Sequence, residues 1–213
     1  MATDFATATQ PLPPDALAFL APLDSPGRIQ AFLDATPYNT TDRYHSPLSV
    51  LRERRAHCFD GACFAAAALW RLGHPPRIVD LRAHNDDDHV VAVYRRDGFY
   101  GCVAKSNTTV LRFREPVYRS VRELVMSFFD FYYNLKGDKT LREFSRPLDL
   151  RSYDRQGWLV NDDVLTDIAA HLDRHPHSRV VTPAQIAVLG KVDGDLYRAG
   201  LLGSDVAGLF QPS

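Results

Sequence analysis

Apolar residues occupy nearly every position between residues 62 and 70, directly after a Cys-Phe-Asp-Gly segment. A helix without a polar face is typical of the centre of a fold rather than of its surface. Gly73 ends the predicted helix, and Pro75-Pro76 prevents it from continuing. The sequence therefore predicts a buried central helix that begins near Cys58.

Three shorter helices are predicted before this central helix. Two of them start with Ser-Pro, in which the serine supplies an N-cap and the proline fits the first helical position. The predicted helices are 16–20, 26–34 and 47–55.

Three β-like segments follow the central helix, at residues 77–81, 89–94 and 99–104. Asp97-Gly98 is typical of a two-residue hairpin turn, so it predicts that Arg96 pairs with Phe99. A central helix packed on an antiparallel sheet makes the predicted fold class α+β.

Past residue 112 the pattern becomes helical. Apolar positions from 117 to 135 recur at close to 3.6 residues, and Ser120 with Glu123 fits a capping box. Further helices are predicted after Asn161 and between Thr182 and Gly190. The predicted organisation is a loose tail over 1–13, a core over 14–112 and a helical extension over 113–213, all in one globular unit.

Composition and charge narrow the class of protein. The chain has 213 residues, 45% of them hydrophobic, and a formal net charge of -1, which gives no general attraction to nucleic acid or anionic membranes. No apolar run approaches the ~20 residues of a membrane-spanning helix, and no signal peptide is visible. The three cysteines form neither an even disulfide framework nor a metal-binding pair. We therefore predict a cytoplasmic protein with reduced thiols that binds neither nucleic acid nor membrane.

Cys58 is the candidate nucleophile because it stands at the start of the predicted central helix. The positive end of a helix and a nearby imidazolium both lower the pKa of a thiol, and the thiolate is the reactive form. The alternative is that Cys58 is a small core residue, as unpaired cysteines often are. Cys63 and Cys102 are predicted to be structural.

His89 is the candidate base, since it stands where a strand leaves a polar loop of three aspartates. The alternatives are a surface histidine or, together with His84 and the acids, a metal site. The ligand spacing matches no established site, so we predict neither a metal nor a cofactor.

The third residue of a catalytic group would accept a hydrogen bond from the second nitrogen of His89. In the predicted hairpin register, Ser106 lies opposite His89. A one-residue bulge brings Asn107 there instead, and a four-residue loop brings Ala104. Asn107 and Ser106 are therefore both candidates.

Cys58, Gly73, Pro75, Arg77 and His89 together resemble the transglutaminase-like superfamily of papain-like cysteine enzymes. The family core reads G-x-C-x-x-x-A, then G-I-P-A-R about fifteen residues after the cysteine, then D-H-A-W-x-E-V-Y. In this chain Gly-His-Pro-Pro-Arg stands at 73–77 and Asp-His-Val-Val-Ala-Val-Tyr at 88–94. The resemblance covers about residues 50–110, and the residues that replace the family aspartate fall within Lys-Ser-Asn at 105–107.

The resemblance implies a papain-like fold and a hydrolase or acyltransferase that acts on a peptide or on a small amide or ester. Cys58 would form the acyl-enzyme, His89 would shuttle the proton, and the backbone N–H of Cys58 would enter the oxyanion hole. Arg52 stands where papain-like enzymes have a glutamine. The second oxyanion donor is therefore unassigned, and Asn39, Tyr44 and His57 are candidates.

Two other functions remain open from the sequence. One is a non-catalytic binding or scaffold protein of the same fold, and the other is acyl transfer as in arylamine N-acetyltransferases, which also use a cysteine, a histidine and an acid. An enzyme would hold Cys58 and His89 within hydrogen-bond reach beside an open cleft, whereas a non-catalytic protein would bury or separate them. The aromatic residues at 128–133 favour core packing over a substrate pocket.

Overall fold

The computed structural model describes residues 5–7 and 12–213. Most of the loose tail predicted over 1–13 lies outside the described residues. Within it, Phe5–Thr7 forms a 3₁₀ turn and Leu12 is buried. The described chain is an α+β protein in which a helix packs on an antiparallel sheet, as the sequence predicted.

The strands of the described residues form one antiparallel sheet. They are β1 (Arg77–Ala83), β2 (His89–Arg96), β3 (Phe99–Val103), β4 (Arg114–Tyr118), β5 (Leu141–Ser145), β6 (Leu148–Asp149) and β7 (His177–Arg179). Their order across the sheet is β4-β3-β2-β1-β5-β7, and β6 pairs with the start of β1 beside β5. The strand that begins with His89 therefore lies near the middle of the sheet.

The helices of the described residues lie on both sides of this sheet. They are α1 (Pro14–Leu20), α2 (Pro26–Ala35), α3 (Pro47–Glu53), α4 (Cys58–Arg71), α5 (Val121–Met126), α6 (Asp162–Arg174), α7 (Pro183–Ile186) and α8 (Gly194–Gly200). The Ser-Pro signals of α2 and α3 are confirmed, because Ser25 Oγ accepts a hydrogen bond from the Arg28 N–H and Ser46 Oγ from the Ser49 N–H. Local capping therefore sets both helix starts.

Helix α4 is the centre of the larger hydrophobic core. Its residues from Phe59 to Trp70 are buried, and it packs on the face of the sheet that carries Val90 and Ala92. At its end Gly73 adopts a φ of +90°, and the His74 N–H donates to the Leu69 carbonyl. This left-handed turn favours glycine and terminates the helix where the sequence predicted.

A second core covers the opposite face of the sheet. Val91 and Val93 point to this side and pack with residues of α5, together with Phe128 and Tyr132. The aromatic run at 128–133 therefore contributes to packing, although Phe131 is 37% exposed. His89 shares the side of Val91, because alternate residues of a strand face opposite sides.

The β2–β3 hairpin has the predicted turn and register. Asp97 and Gly98 have φ angles of 52° and 89°, as in a two-residue type I′ turn. Arg96 pairs with Phe99, and the same register continues to Ala92 and Val103. The pairing ends there, so the chain after β3 is free to leave the sheet before it reaches the position opposite His89.

The continuous helix predicted over 117–135 is wrong. Residues Arg114–Tyr118 form β4 on the edge of β3, and only Val121–Met126 is helical. The unpaired edge of β3 supplies hydrogen-bond partners that a local period does not reveal. Ser120 does cap α5, since its Oγ accepts from the Glu123 N–H.

The part of the chain after residue 113 contains strands as well as helices. Strands β4 to β7 all belong to it and join the same sheet as β1 to β3. The helix predicted after Asn161 is confirmed as α6, whose Asp163 N–H is capped by the Asn161 side chain. The helix predicted to end at Gly190 ends at Ile186. The boundary predicted at residue 112 between the core and the extension stays a prediction. The strands before and after this residue belong to one continuous sheet.

Candidate functional site

Cys58 is the first residue of α4, and the residues on either side of it fix the helix start. His57 is the N-cap: its Nδ1 accepts hydrogen bonds from the backbone N–H groups of Phe59 at 3.1 Å and Asp60 at 3.4 Å. The Asp60 carboxylate accepts the His57 N–H in return, at 3.3 Å. This reciprocal capping box leaves the Cys58 side chain at a defined position on the first turn.

A buried polar network holds the preceding loop against this helix start. Asp60 is fully buried and accepts the His45 backbone N–H at 2.8 Å, while His45 Nδ1 lies 3.2 Å from the same carboxylate. Glu53 lies 3.0 Å from the other ring nitrogen of His45. Burial raises the pKa of Asp60. The network ties α3, α4 and the loop between α2 and α3 into one rigid wall.

The Cys58 thiol lies beside the backbone that leads into β2. Its Sγ donates to the Asp88 carbonyl oxygen at 3.8 Å, and the Val90 backbone forms a hydrogen bond to the sulfur. Burial raises the pKa of Cys58 to about 12, and nearby aspartates raise it further. The direction is opposite to the lowered pKa expected at a helix start, because loss of hydration outweighs the favourable interactions. The resting group is a neutral thiol.

His89 is anchored by one ring nitrogen. Its Nε2 lies 2.8 Å from the Leu111 carbonyl oxygen, and the rings of Phe128 and Tyr132 pack edge-on against it. Burial lowers the pKa of His89 to about 4, so the ring is neutral near pH 7. A carbonyl oxygen only accepts hydrogen bonds, so Nε2 carries the ring proton and Nδ1 carries the lone pair.

His89 and Cys58 line a common cavity. Both residues line a space of about 70 Å³ beside Asp88 and Tyr132. Among residues 5–7 and 12–213, Nδ1 of His89 has no hydrogen-bond partner, and this atom is not one of the fully buried polar atoms that lack a partner. No hydrogen bond joins Cys58 Sγ to the ring across the same residues. The fold therefore brings the two candidate residues to one cavity without a direct bond between them.

A wider cleft opens on the other side of Cys58. Its volume is about 480 Å³, and aromatic rings of Tyr38, Tyr44 and Phe59 form part of its wall. Carboxylates also line it, at Asp42, Asp80, Asp87, Asp88 and Asp173. In the described part of the chain no lysine or arginine lines this cleft. Its surface is therefore aromatic and acidic.

Asp80 is the one cleft carboxylate that is deeply buried. It is 3% exposed, and its Oδ2 lies 3.0 Å from Nε2 of His177 on β7. Burial raises the pKa of Asp80 to about 6, although the hydrogen bond from His177 opposes the shift. This pair links the far strands β5 and β7 to the floor of the cleft.

Neither candidate for the third catalytic residue bonds to His89. Ser106 Oγ accepts the Thr108 N–H at 3.1 Å and contacts the Thr108 hydroxyl. The Asn107 side chain bonds instead to the backbone of Asp205, through both its oxygen and its nitrogen. An orienting role for Ser106 or Asn107 stays a prediction, and the group found on the second nitrogen of His89 is a backbone carbonyl.

The three aspartates before His89 brace their own loop. Asp86 accepts the Thr140 hydroxyl at 2.7 Å and the Asp87 N–H at 3.0 Å, and Asp88 accepts the Ala83 N–H at 2.7 Å. His84 lines a different cavity from His89. Among the residues that the structure describes, no three His, Cys, Asp or Glu side chains are grouped to hold a metal ion.

Tyr38 is a residue of the site that the sequence did not indicate. Its hydroxyl lies beside the backbone N–H of Cys58, and burial raises its pKa far above the usual value, so it keeps its proton. A parallel bridge between Tyr38 and Ala56 holds the backbone there. No local motif marks this position, because the contact depends on how the loop before α3 folds back on α4.

The side chains considered as second oxyanion donors have other partners. His57 caps α4, and Asn39 accepts the Thr41 N–H at 3.2 Å while donating to the Arg43 carbonyl at 3.2 Å. The ring of Tyr44 packs edge-on against His57 with centroids 5.5 Å apart. Of the residues around Cys58, Tyr38 is thus the one whose hydroxyl lies at the Cys58 amide.

None of the helices in the described part of the chain has the length and apolar character needed to cross a membrane.

Comparison of the chain with known proteins found no relative. No protein-family model matches the chain, and no curated protein matches it.

Proposed function

We propose that the chain is a cysteine-dependent hydrolase or acyltransferase with a papain-like or transglutaminase-like core, acting on an amide or ester bond. Cys58 is the nucleophile and His89 the general base in this proposal. Two features of the fold support it: a buried central helix that begins with the cysteine, and an antiparallel strand that begins with the histidine. This is the arrangement implied by the sequence resemblance.

The observation that carries the proposal is the state of the His89 ring. The Leu111 carbonyl holds Nε2, which leaves the lone pair on Nδ1, and His89 lines a cavity that Cys58 also lines. A base needs an unprotonated nitrogen with a fixed orientation and access to the nucleophile. The backbone carbonyl supplies the orientation that a side-chain acid or amide supplies in other cysteine enzymes.

In the proposed reaction the Cys58 sulfur attacks the substrate carbonyl carbon while its proton passes to His89 Nδ1. A sulfur–carbon bond forms, and collapse of the tetrahedral adduct breaks the bond to the leaving amine or alcohol, which takes the proton from His89. Water or an amine then cleaves the thioester. In this proposal the Cys58 backbone N–H and the Tyr38 hydroxyl donate to the developing oxyanion.

The resting site holds a neutral thiol and a neutral imidazole. With the pKa of Cys58 near 12 and that of His89 near 4, transfer of the proton to form an ion pair is strongly unfavourable. Burial is the largest cause of both shifts, so greater hydration of the cleft moves both values towards their ordinary range. Turnover in this proposal therefore requires the cleft to open.

A non-catalytic binding function is the second candidate, and the observation that favours it is the hydrogen bond from Cys58 Sγ to the Asp88 carbonyl rather than to His89. An arylamine N-acetyltransferase-like reaction is less well supported, because that chemistry pairs the histidine with a carboxylate and the partner of His89 is a carbonyl.

Incubation with p-nitrophenyl acetate, followed by peptide mass mapping, tests the proposal. We expect an acetyl group to accumulate on Cys58 of the wild type, and not on Cys58 of a His89→Gln variant. The buried Cys63 and Cys102 are internal controls, since neither lines the cleft. An unmodified Cys58 in the wild type would overturn the enzymatic proposal and favour the binding function.

A further inference from the structure

Residues 205–213, named here the strap, supply part of the wall of the cleft that contains Cys58. Ala207 to Phe210 line the wide cleft, and Gly208 to Phe210 also line the smaller cavity that holds Cys58 and His89. The strap thus lies where a substrate has to approach the thiol.

One end of the strap is held by the side-chain amide of Asn107. The Asn107 nitrogen donates to the Asp205 carbonyl at 2.8 Å, and the Asn107 oxygen accepts the Asp205 N–H at 2.8 Å. Ser204, just before the strap, adds a hydrogen bond to the Asn107 backbone carbonyl at 2.8 Å. The amide of Asn107 therefore pairs with the backbone of residue 205 as a neighbouring β-strand would.

The other end is held in the same way by Asn85. Its side-chain oxygen accepts the Ser213 N–H and the Ser213 hydroxyl, both at 3.0 Å, and its nitrogen donates to a Ser213 oxygen at 3.1 Å. Lys136 donates to Ser213 as well, at 2.5 Å. Asn85 has a φ of 53°, a left-handed conformation that asparagine tolerates. Two asparagine amides thus hold the two ends of the strap, each bound to the backbone of one strap residue.

Between these two ends the strap makes hydrogen bonds only to itself, among the described residues. Gly208 N–H donates to the Asp205 carbonyl, and Leu209 N–H to the Val206 carbonyl. A Cβ on Gly208 would lie 2.9 Å from the Tyr38 ring, so this close approach requires glycine. A segment fixed at its ends and unbonded in its middle can leave the cleft without breaking the sheet.

We infer that the cleft over Cys58 is a binding groove for polypeptide, and that the strap occupies it in the position of a peptide substrate. A side-chain amide that accepts from a backbone N–H and donates to a backbone carbonyl can bind the backbone of any residue. Asn85 and Asn107 therefore bind a chain irrespective of its side chains. The contact of Gly208 with Tyr38 adds selectivity for glycine at the centre of the groove. The substrate class is therefore a peptide or protein segment rather than a small amide or ester.

This inference deepens the proposed function and rests on it for the chemistry, but the binding of peptide does not depend on the reaction. Binding is therefore measured in the full chain carrying Cys58→Ala, which has no nucleophile at that position. The probe is a fluorescein-labelled decapeptide with the sequence of residues 204–213, followed by fluorescence anisotropy. A second peptide with valine in place of the central glycine is the selectivity control.

The strap competes with the probe peptide for the groove. A substitution that weakens the attachment of the strap is therefore needed. Asp205 has a φ of -78°, which proline adopts, and Asp205→Pro removes the N–H that Asn107 accepts. Asp205→Ala is the matched control, since it loses the same side chain and keeps the N–H. Because one hydrogen bond is lost from the strap and not from the groove, we expect the peptide to bind the proline variant about two- to tenfold more tightly than the alanine variant.

The valine peptide is expected to bind the proline variant more weakly than the glycine peptide does. No saturable binding of the decapeptide to Asp205→Pro at millimolar concentration would overturn the inference, as would equal affinities of the glycine and valine peptides. Peptide binding without acetylation of wild-type Cys58 would sustain the groove and overturn the enzymatic proposal. Acetylation of wild-type Cys58 without peptide binding would support the enzymatic proposal and overturn the peptide-binding groove.

Discussion

Replacing His89 by glutamine is expected to reduce the acid sensitivity of the fold. His89 is 4% exposed, and burial lowers its pKa from 6.5 to about 4. The unfolded chain therefore binds a proton near pH 6.5 that the folded chain binds only near pH 4. The free energy of unfolding is undiminished by this group above pH 6.5 and falls as the pH drops from 6.5 towards 4.

The size of this effect follows from the shift in pKa. A difference of one pKa unit corresponds to ~1.4 kcal/mol, so a shift from 6.5 to about 4 corresponds to about 3 kcal/mol. Glutamine does not titrate and keeps an N–H donor for the Leu111 carbonyl. Between pH 7 and pH 4 the wild type is expected to lose about 3 kcal/mol more stability than His89→Gln.

Urea unfolding at a series of pH values, followed by tryptophan fluorescence, measures this difference. Trp70 and Trp158 are both buried and their rings stack with centroids 6.3 Å apart, so unfolding changes their emission. The buried aspartates titrate in both proteins, and their effect cancels in the comparison. A difference in stability that stays constant from pH 7 to pH 4 would refute the argument that His89 is buried as a neutral ring.

Three further predictions concern the site and its support. The rate of Cys58 acylation is expected to fall as the pH drops from 6.5 towards 4, because His89 must be neutral to accept a proton and opening of the cleft moves its pKa from about 4 towards the ordinary value; a pH–rate profile checks this. Cys58→Ala is expected to abolish the acyl-enzyme and to cost less than about 1 kcal/mol in urea unfolding, since alanine fits a helix start; persisting turnover would contradict the nucleophile assignment. Gly61→Ala places a Cβ 2.3 Å from the Lys105 Cβ and is expected to destabilise the fold by about 1–3 kcal/mol. Its control is Gly27→Ala in α2, whose new Cβ meets nothing within 4 Å and which is expected to stabilise the fold slightly. Thermal unfolding of both variants measures the difference.

The elements that the sequence predicted well are those specified by local chemistry. Serine caps set the starts of α2 and α3, and Asp97-Gly98 set the turn and register of the β2–β3 hairpin. The apolar run after Cys58 identified the central helix, because a helix buried on all sides needs no polar residues. Each of these signals lies within a few residues of the structure that it predicts.

The elements that the sequence missed depend on partners far along the chain. Strand β4 forms because β3 offers an unpaired edge, and β5 and β7 form on the far side of β1. The apolar spacing that includes Val117 of β4 resembles that of a helix, and β7 contains no apolar residue, so neither strand has a local signal and both depend on the edge of an existing sheet. The C-terminal half was for this reason predicted as helical alone.

The residues of the candidate site also separate into those that the local sequence indicates and those that depend on distant parts of the chain. The sequence selected Cys58 and His89, and the fold brings both to one cavity. It could not select the Leu111 carbonyl as the partner of His89, since every residue carries a carbonyl. Asn107 was considered as an orienter of the ring, and its amide instead binds the strap, which no local pattern reveals.

The central claim is that His89 activates Cys58 once the cleft opens. Its most direct test is the pH dependence of iodoacetamide labelling at each cysteine, read by mass spectrometry, in Asp205→Pro with and without His89→Gln. The account predicts that Cys58 of the proline variant reacts at neutral pH, ahead of Cys63 and Cys102, and that it loses this reactivity when His89 is replaced. Equal labelling of Cys58 with and without His89 at every pH would contradict it.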